Sequence, residues 1–182
     1  MLTQAGEDLT TWVYNNTSLK DSVINSVYET LNDASTVPAK VIAQQMLAVG
    51  QWGRGELVAQ LAGVLKARQR PTGSFDDDIY SDIPAYEALG AAGQISVITE
   101  VYARNYLLCQ QSVASATYGS WGGTYGGTYY PDFMTTCQAI RTLTYLPGAA
   151  SDQQIQAAIN NSLAYLRKTW PWPGTIRQKA SG

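Results

Sequence analysis

Twice along the chain a helical run ends, a glycine follows in a polar turn and a helix-start signal comes next, and a third time the pattern begins. The first copy is Arg68 to Leu89, RQRPTGSFDDDIYSDIPAYEAL. The second is QQSVASATYGSW, a loop, and then PDFMTTCQAIRTL; a third opens at YLRKTWPWPGTI. The glycines Gly73, Gly119 and Gly174 lie 46 and 55 residues apart (119 − 73 and 174 − 119). A period of that size points to an array of two-helix units, each burying its apolar face on its neighbours.

The stretches between these turns read as helices. Gly6 to Asn15 is a short helix candidate with acids in its first turn. Ser18 to Asn32 repeats Val23, Ile24, Val27, Tyr28 and Leu31 at helical spacing. Pro38 suits the first turn of a helix running through Val49, and Glu56 to Arg68 follows with Leu57, Leu61, Val64 and Leu65 on one face. The next helix spans Ile83 to Ala91, with Asp82 as its N-cap and Pro84 in its first turn. Ser96 to Gln111 follows, burying Ile98, Val101, Tyr102 and Leu108. Asp132 caps a seventh helix with Phe133, Cys137, Ile140 and Leu143 inward. Ser151 opens an eighth, striped by Ile155, Ile159, Leu163 and Leu166. About eight helices and no convincing strand are expected, hence an all-α chain of helical hairpins. Between Ser112 and Pro131 lies a long connection holding five of the sixteen glycines and four tyrosines. Connections of that length in a compact domain are usually functional or mobile.

Histidine is absent. That removes the commonest general base, the Ser-His and Cys-His nucleophile pairs and most zinc sites. Twelve basic against fourteen acidic residues give a net charge of −2, which argues against nucleic acid as the main partner. No apolar run is long enough to span a bilayer. Cys109 and Cys137 read as small buried hydrophobes, although a disulfide between neighbouring helices is geometrically conceivable. Asp76, Asp77, Asp78 and Asp82 offer oxygen ligands, but without the alternation of a calcium loop they read as a solvated acidic run.

Gln69-x-x-x-Gly73-x-Phe75 resembles the Q-x-x-x-G-x-W/F repeat of the terpenoid cyclase and protein prenyltransferase-like toroid superfamily. Gln110 or Gln111 with Gly119-Ser120-Trp121 is similar with an insertion, and Thr169 with Gly174-Thr175-Ile176 is a degenerate third copy. The helices SDIPAYEAL and PDFMTTCQAIRTL resemble the inner helix of the family. The resemblance covers roughly Pro38 to Ile176. It implies helical hairpin repeats forming a partial α/α toroid, with residues 1–182 a single helical-repeat domain and a fragment of a longer toroid, or half of a homodimer. In this motif Gln is expected to bond carbonyls left free at a helix C-terminus, Gly to permit a tight turn and the aromatic to pack on the hairpin.

The chemistry of the catalytic relatives is hard to assemble from these residues. Triterpene cyclases of this superfamily protonate their substrate with the middle acid of D-x-D-D-T-A. Here Asp82 takes that place between Tyr80 and Ile83, so it is at most a weak catalytic candidate. The prenyltransferase zinc site needs a histidine, and a thioester needs a Cys-Gly-Glu-Gln run that is missing. No cofactor or metal is implied. The expectation is a non-catalytic binding or scaffold module of a bacterial cell-surface or secreted protein, taking an unknown small molecule or protein. The alternative is an isoprenoid-handling enzyme of the squalene cyclase type. Candidate ligand-binding residues are Tyr86, Glu87, Trp121, Tyr125 and Gln138. Gln44, Gln45, Thr135 and Arg141 are further candidates for an inner-helix funnel, and the TYGSWGGTYGGTYYPD loop suits stacking on a sugar or an apolar ligand.

Overall fold

A computed structural model describes residue 8 and residues 10–170. Among them are seven α-helices: α1 (Leu19–Asn32), α2 (Ala39–Gln51), α3 (Gly55–Arg68), α4 (Ile79–Ala91), α5 (Glu100–Gln110), α6 (Phe133–Tyr145) and α7 (Gln153–Thr169). Alternate helices α2, α4 and α6 pack side by side in one layer. α1, α3, α5 and α7 form a second layer across it. The all-α expectation therefore holds for the bulk of the chain. The core lies between the layers, where Ile42, Met46, Leu61, Leu65, Ile83, Leu89, Leu107 and Leu143 are fully buried. Each such side chain contributes about 1.5–3 kcal/mol by leaving water.

Two short antiparallel hairpins depart from the helix-only reading. β1 (Val13–Tyr14) pairs with β2 (Thr17–Ser18), where the sequence suggested that a helix ran from Gly6 to Asn15. Asn15 and Asn16 both take positive φ (49° and 62°), and asparagine tolerates that conformation well enough to reverse the chain in two residues. β3 (Gly122–Tyr125) pairs with β4 (Thr128–Pro131) inside the long glycine-rich connection. Gly126 and Gly127 turn it at φ 57° and 79°, the two-residue geometry that glycine pairs supply.

Helix boundaries moved where capping chemistry decided them. α4 starts one turn before the expected Ile83, because Asp78, not Asp82, is its N-cap and accepts from the Tyr80 amide. Pro84 consequently sits beyond the first turn. α5 starts at Glu100, with Ile95–Val97 wound as a separate 3-10 turn. Asp152 caps α7, and Asp132 caps α6 as expected. α6 buries Thr135, Thr136, Ala139, Thr142 and Leu143, so Phe133, Cys137 and Ile140 are only half-buried at its edge. Val101 is exposed, and α5 instead buries Ala103, Tyr106 and Leu107. The expected third turn at Gly174 lies outside the described residues.

Across the second layer, Arg104 of α5 grips the α7 cap. Its Nε and Nη2 donate to the two oxygens of Asp152 at 2.6 and 3.0 Å. This guanidinium holds the Asp152 carboxyl down at about 2, below its ordinary 3.8. A depressed acid contributes stability above its unfolded value and loses it as pH falls through the folded one. The advantage of the native chain over Arg104→Gln should therefore be constant above about pH 4 and vanish as pH falls toward 2. Urea titrations of both proteins across that interval check it.

Candidate functional site

Both repeat turns among the described residues are fasteners between successive second-layer helices. Gln69, at the C-cap of α3, donates from Nε2 to the Thr99 carbonyl and accepts from the Thr99 amide at 2.8 Å. Thr99 is the N-cap of α5, so this glutamine clips the end of one helix to the start of the next. Gln111, at the C-cap of α5, donates to the Ala158 carbonyl and Ser162 hydroxyl of α7 at 2.8 and 2.9 Å. The carbonyls it reaches belong to a neighbouring helix and to Gly119 of its own turn, not to the C-terminus of α5. Gly73 and Gly119 match as closely, with φ of 88° and 92°. A methyl at either would lie 2.3 or 2.5 Å from a carbonyl oxygen of the next second-layer helix, Tyr102 or Asn161.

Phe75 and Trp121 then plug the core. Phe75 packs tilted against Tyr86 with ring centroids 4.6 Å apart, while Trp121 is wholly buried with its indole donating to the Leu107 carbonyl at 2.9 Å. Behind each plug stands one polar side chain of the following helix. The Trp121 amide donates to Thr136, and the Phe75 amide donates to Asp82.

Asp82 is fully buried. One carboxylate oxygen accepts from the Phe75 and Asp76 amides, both at 2.9 Å, and the other from the Tyr106 hydroxyl at 2.7 Å. Burial raises its pKa above the ordinary carboxylate value, and the three donors oppose that rise. At the second turn Thr136 accepts the matching amide with no acid at all, so an acceptor is enough for this turn-holding contact. The other aspartates go to separate partners. Asp76 takes the Arg68 guanidinium and the Ala39 amide at the start of α2, Asp77 takes Arg70 and Ser74, and Asp78 caps α4.

Of the expected ligand-binding residues, Tyr86 and Trp121 prove to be core. Tyr86 is fully buried, donates to the Gly73 carbonyl and accepts from Gln69. Gln45 and Thr135 are buried as well. Glu87 and Gln138 do meet: the Gln138 amide donates to Glu87 at 2.9 Å, and Arg141 pairs with the same carboxylate. This trio bridges α4 and α6 and leaves no unmatched charge for a ligand. Tyr125 stands elsewhere, at the opening of a groove.

That groove has a volume of about 920 Å³, within the range of small-molecule sites. The turn before α4 forms one wall, the C-terminal end of α5 another, and the β3–β4 hairpin the third. Tyr125 is 59% exposed and lies nearly parallel to Tyr80, with ring centroids 6.4 Å apart and planes 14° from alignment. Tyr130 also meets Tyr125, tilted, with ring centroids 6.1 Å apart. Polar groups come from Asp77, Asp78, Asn105, Gln110 and Thr124. No protein-family model, curated protein or solved structure matches this chain.

Among the described residues no group of three or more His, Cys, Asp or Glu is placed to hold a metal ion, and no helix is long and apolar enough to cross a membrane. The two cysteines are free thiols. Cys109 is exposed at the groove and not buried as expected, while Cys137 is half-buried on α6. Sequence reasoning missed Tyr80, Asn105 and Gln110, which reach the groove from two different helices. The signal that could have found the groove was Thr-Tyr-Gly-Gly-Thr-Tyr, a hairpin turn that presents one tyrosine on each strand.

Proposed function

We propose that this chain is a non-catalytic binding module that takes a small molecule in the Tyr80–Tyr125 groove. One observation carries the reading: an exposed aromatic ring, braced by two others, opens onto a cavity of about 920 Å³ edged with amides and carboxylates. Rings held by their neighbours lose little freedom on binding, which favours recognition. The repeating glutamine, glycine and aromatic fasteners support kinship with α/α toroid arrays. A bacterial cell-surface or secreted setting is the corresponding cellular reading. Asp82 speaks against an isoprenoid-cyclising enzyme, since both its oxygens are occupied by donors inside the core.

Screening a mixed small-molecule fragment library by NMR tests the proposal. Hits should shift Asn105, Gln110, Thr124 and Tyr125, and Tyr125→Ala should weaken them about tenfold. An absence of hits, or hits centred on Glu87, Gln138 and Arg141, overturns it.

A further inference from the structure

Resting on that reading of the groove, we infer that its ligand is a neutral oligosaccharide. The lining decides between ligand classes by charge. Asp77 and Asp78 are the only acidic side chains in its lining, and no lysine or arginine lines it with them. A phosphate, sulfate or carboxylate would enter against Asp78 with the Arg70 guanidinium already held by Asp77, whereas an uncharged ligand pays no such penalty. Asp77 is already paired with Arg70, which further reduces the attraction for a cation.

The remaining chemistry suits a polyol ring. Sugar rings present an apolar C–H face and an equator of hydroxyls. The C–H face stacks on an exposed aromatic ring, and vicinal hydroxyls donate to carboxylates and exchange hydrogen bonds with planar amides. Tyr125 supplies the platform, while Asn105, Gln110, Asp78 and Thr124 supply hydroxyl partners around it. An isoprenoid would leave those polar groups desolvated and unpaired.

Glycine at position 123 is what lets the platform form. A methyl there would lie 2.8 Å from the Tyr80 ring and 3.1 Å from the Tyr125 ring. These are the outer ends of side chains that can swing away, so Gly123→Ala should fold and yet displace both rings.

The test is an array of neutral oligosaccharides, with sulfated oligosaccharides, farnesyl diphosphate and an oligolysine peptide as competing classes, followed by calorimetric titration of the hits. At least one neutral oligosaccharide should bind. Tyr125→Ala and Gly123→Ala should each weaken it by about tenfold or more while thermal midpoints stay close to that of the native chain. A sulfated counterpart should bind more weakly than its neutral parent. No neutral glycan bound, tighter binding of any competing class, or affinity indifferent to Tyr125→Ala each overturns the inference. If library fragments occupy the groove but no glycan does, the sugar assignment fails and the binding-module reading stands. If neither binds there, both fail.

Discussion

Gly73→Ala and Gly119→Ala are each expected to destabilise the fold by about 2–5 kcal/mol, a large fraction of the stability of a typical domain. Two effects add. Positive φ of 88° and 92° puts any side chain in a region that costs about 1–2 kcal/mol. The new methyl would then sit 2.3 Å from the Tyr102 carbonyl oxygen, or 2.5 Å from that of Asn161. Both obstacles are backbone of a packed helix, so relief requires α5 or α7 to move as a body, and overpacking of that kind costs a further 1–3 kcal/mol or so. The fastener glutamines would be pulled out of register by the same movement. Gly63 is the control: it lies within α3 with nothing near its missing side chain, so Gly63→Ala should stabilise by about 0.5–1 kcal/mol. Urea denaturation of the three variants checks the contrast. Equal, small effects at all three positions would mean that the turns are not the joints of the array.

The repeat turns were legible because their signals are local. Gln69, Gly73 and Phe75 recur as Gln111, Gly119 and Trp121, and the backbone needs of a tight turn cannot be met by many residue types. The partners of those residues were not legible. The expectation that Gln69 bonds its own helix end was reasonable chemistry, yet the free groups that it meets belong to Thr99, thirty residues onward. Asp82 failed for a related reason. Four aspartates within seven positions offer two plausible caps, and only the hydrogen-bond geometry shows that Asp78 starts α4 while Asp82 turns inward. Helix rotation was the weakest element. On α6 Leu143 faces inward as expected, but the rest of the inward face is built of threonines and an alanine, which a search for apolar stripes ranks below Phe133 and Ile140. The candidate site suffered most from this. Tyr86 and Trp121 look like ligand contacts as isolated aromatics, but fasteners place both in the core. Tyr125 was found, whereas the groove around it depends on a hairpin folding back over two helix ends.

Asp82→Ala is expected to cost about 3–5 kcal/mol, because it strands two backbone amides and one tyrosine hydroxyl in the core. Asp82→Asn should cost far less. Its carbonyl can still accept from the Phe75 and Asp76 amides, and its amide can donate to a reoriented Tyr106 hydroxyl. The pH dependence separates a structural acceptor from a catalytic acid more sharply than either number. Burial raises the folded pKa of Asp82 above 3.8, so the folded state holds this proton more tightly than the unfolded chain does. The stability that follows is fully present below the unfolded value and is lost as pH rises through the folded one. Asparagine does not titrate, so the stability difference between Asp82→Asn and the native chain should shift in favour of the variant as pH is raised from about 4. Paired urea titrations from about pH 3 to about pH 8 would show it. A shift in the opposite direction would mean that the donors outweigh burial and that the carboxylate is favoured. Incubation with squalene or a prenyl diphosphate completes the test. Turnover by the native chain that disappears in the folded Asp82→Asn variant would restore the acid to a catalytic role, whereas no turnover by either leaves Asp82 as the counterpart of Thr136, an acceptor that holds the turn.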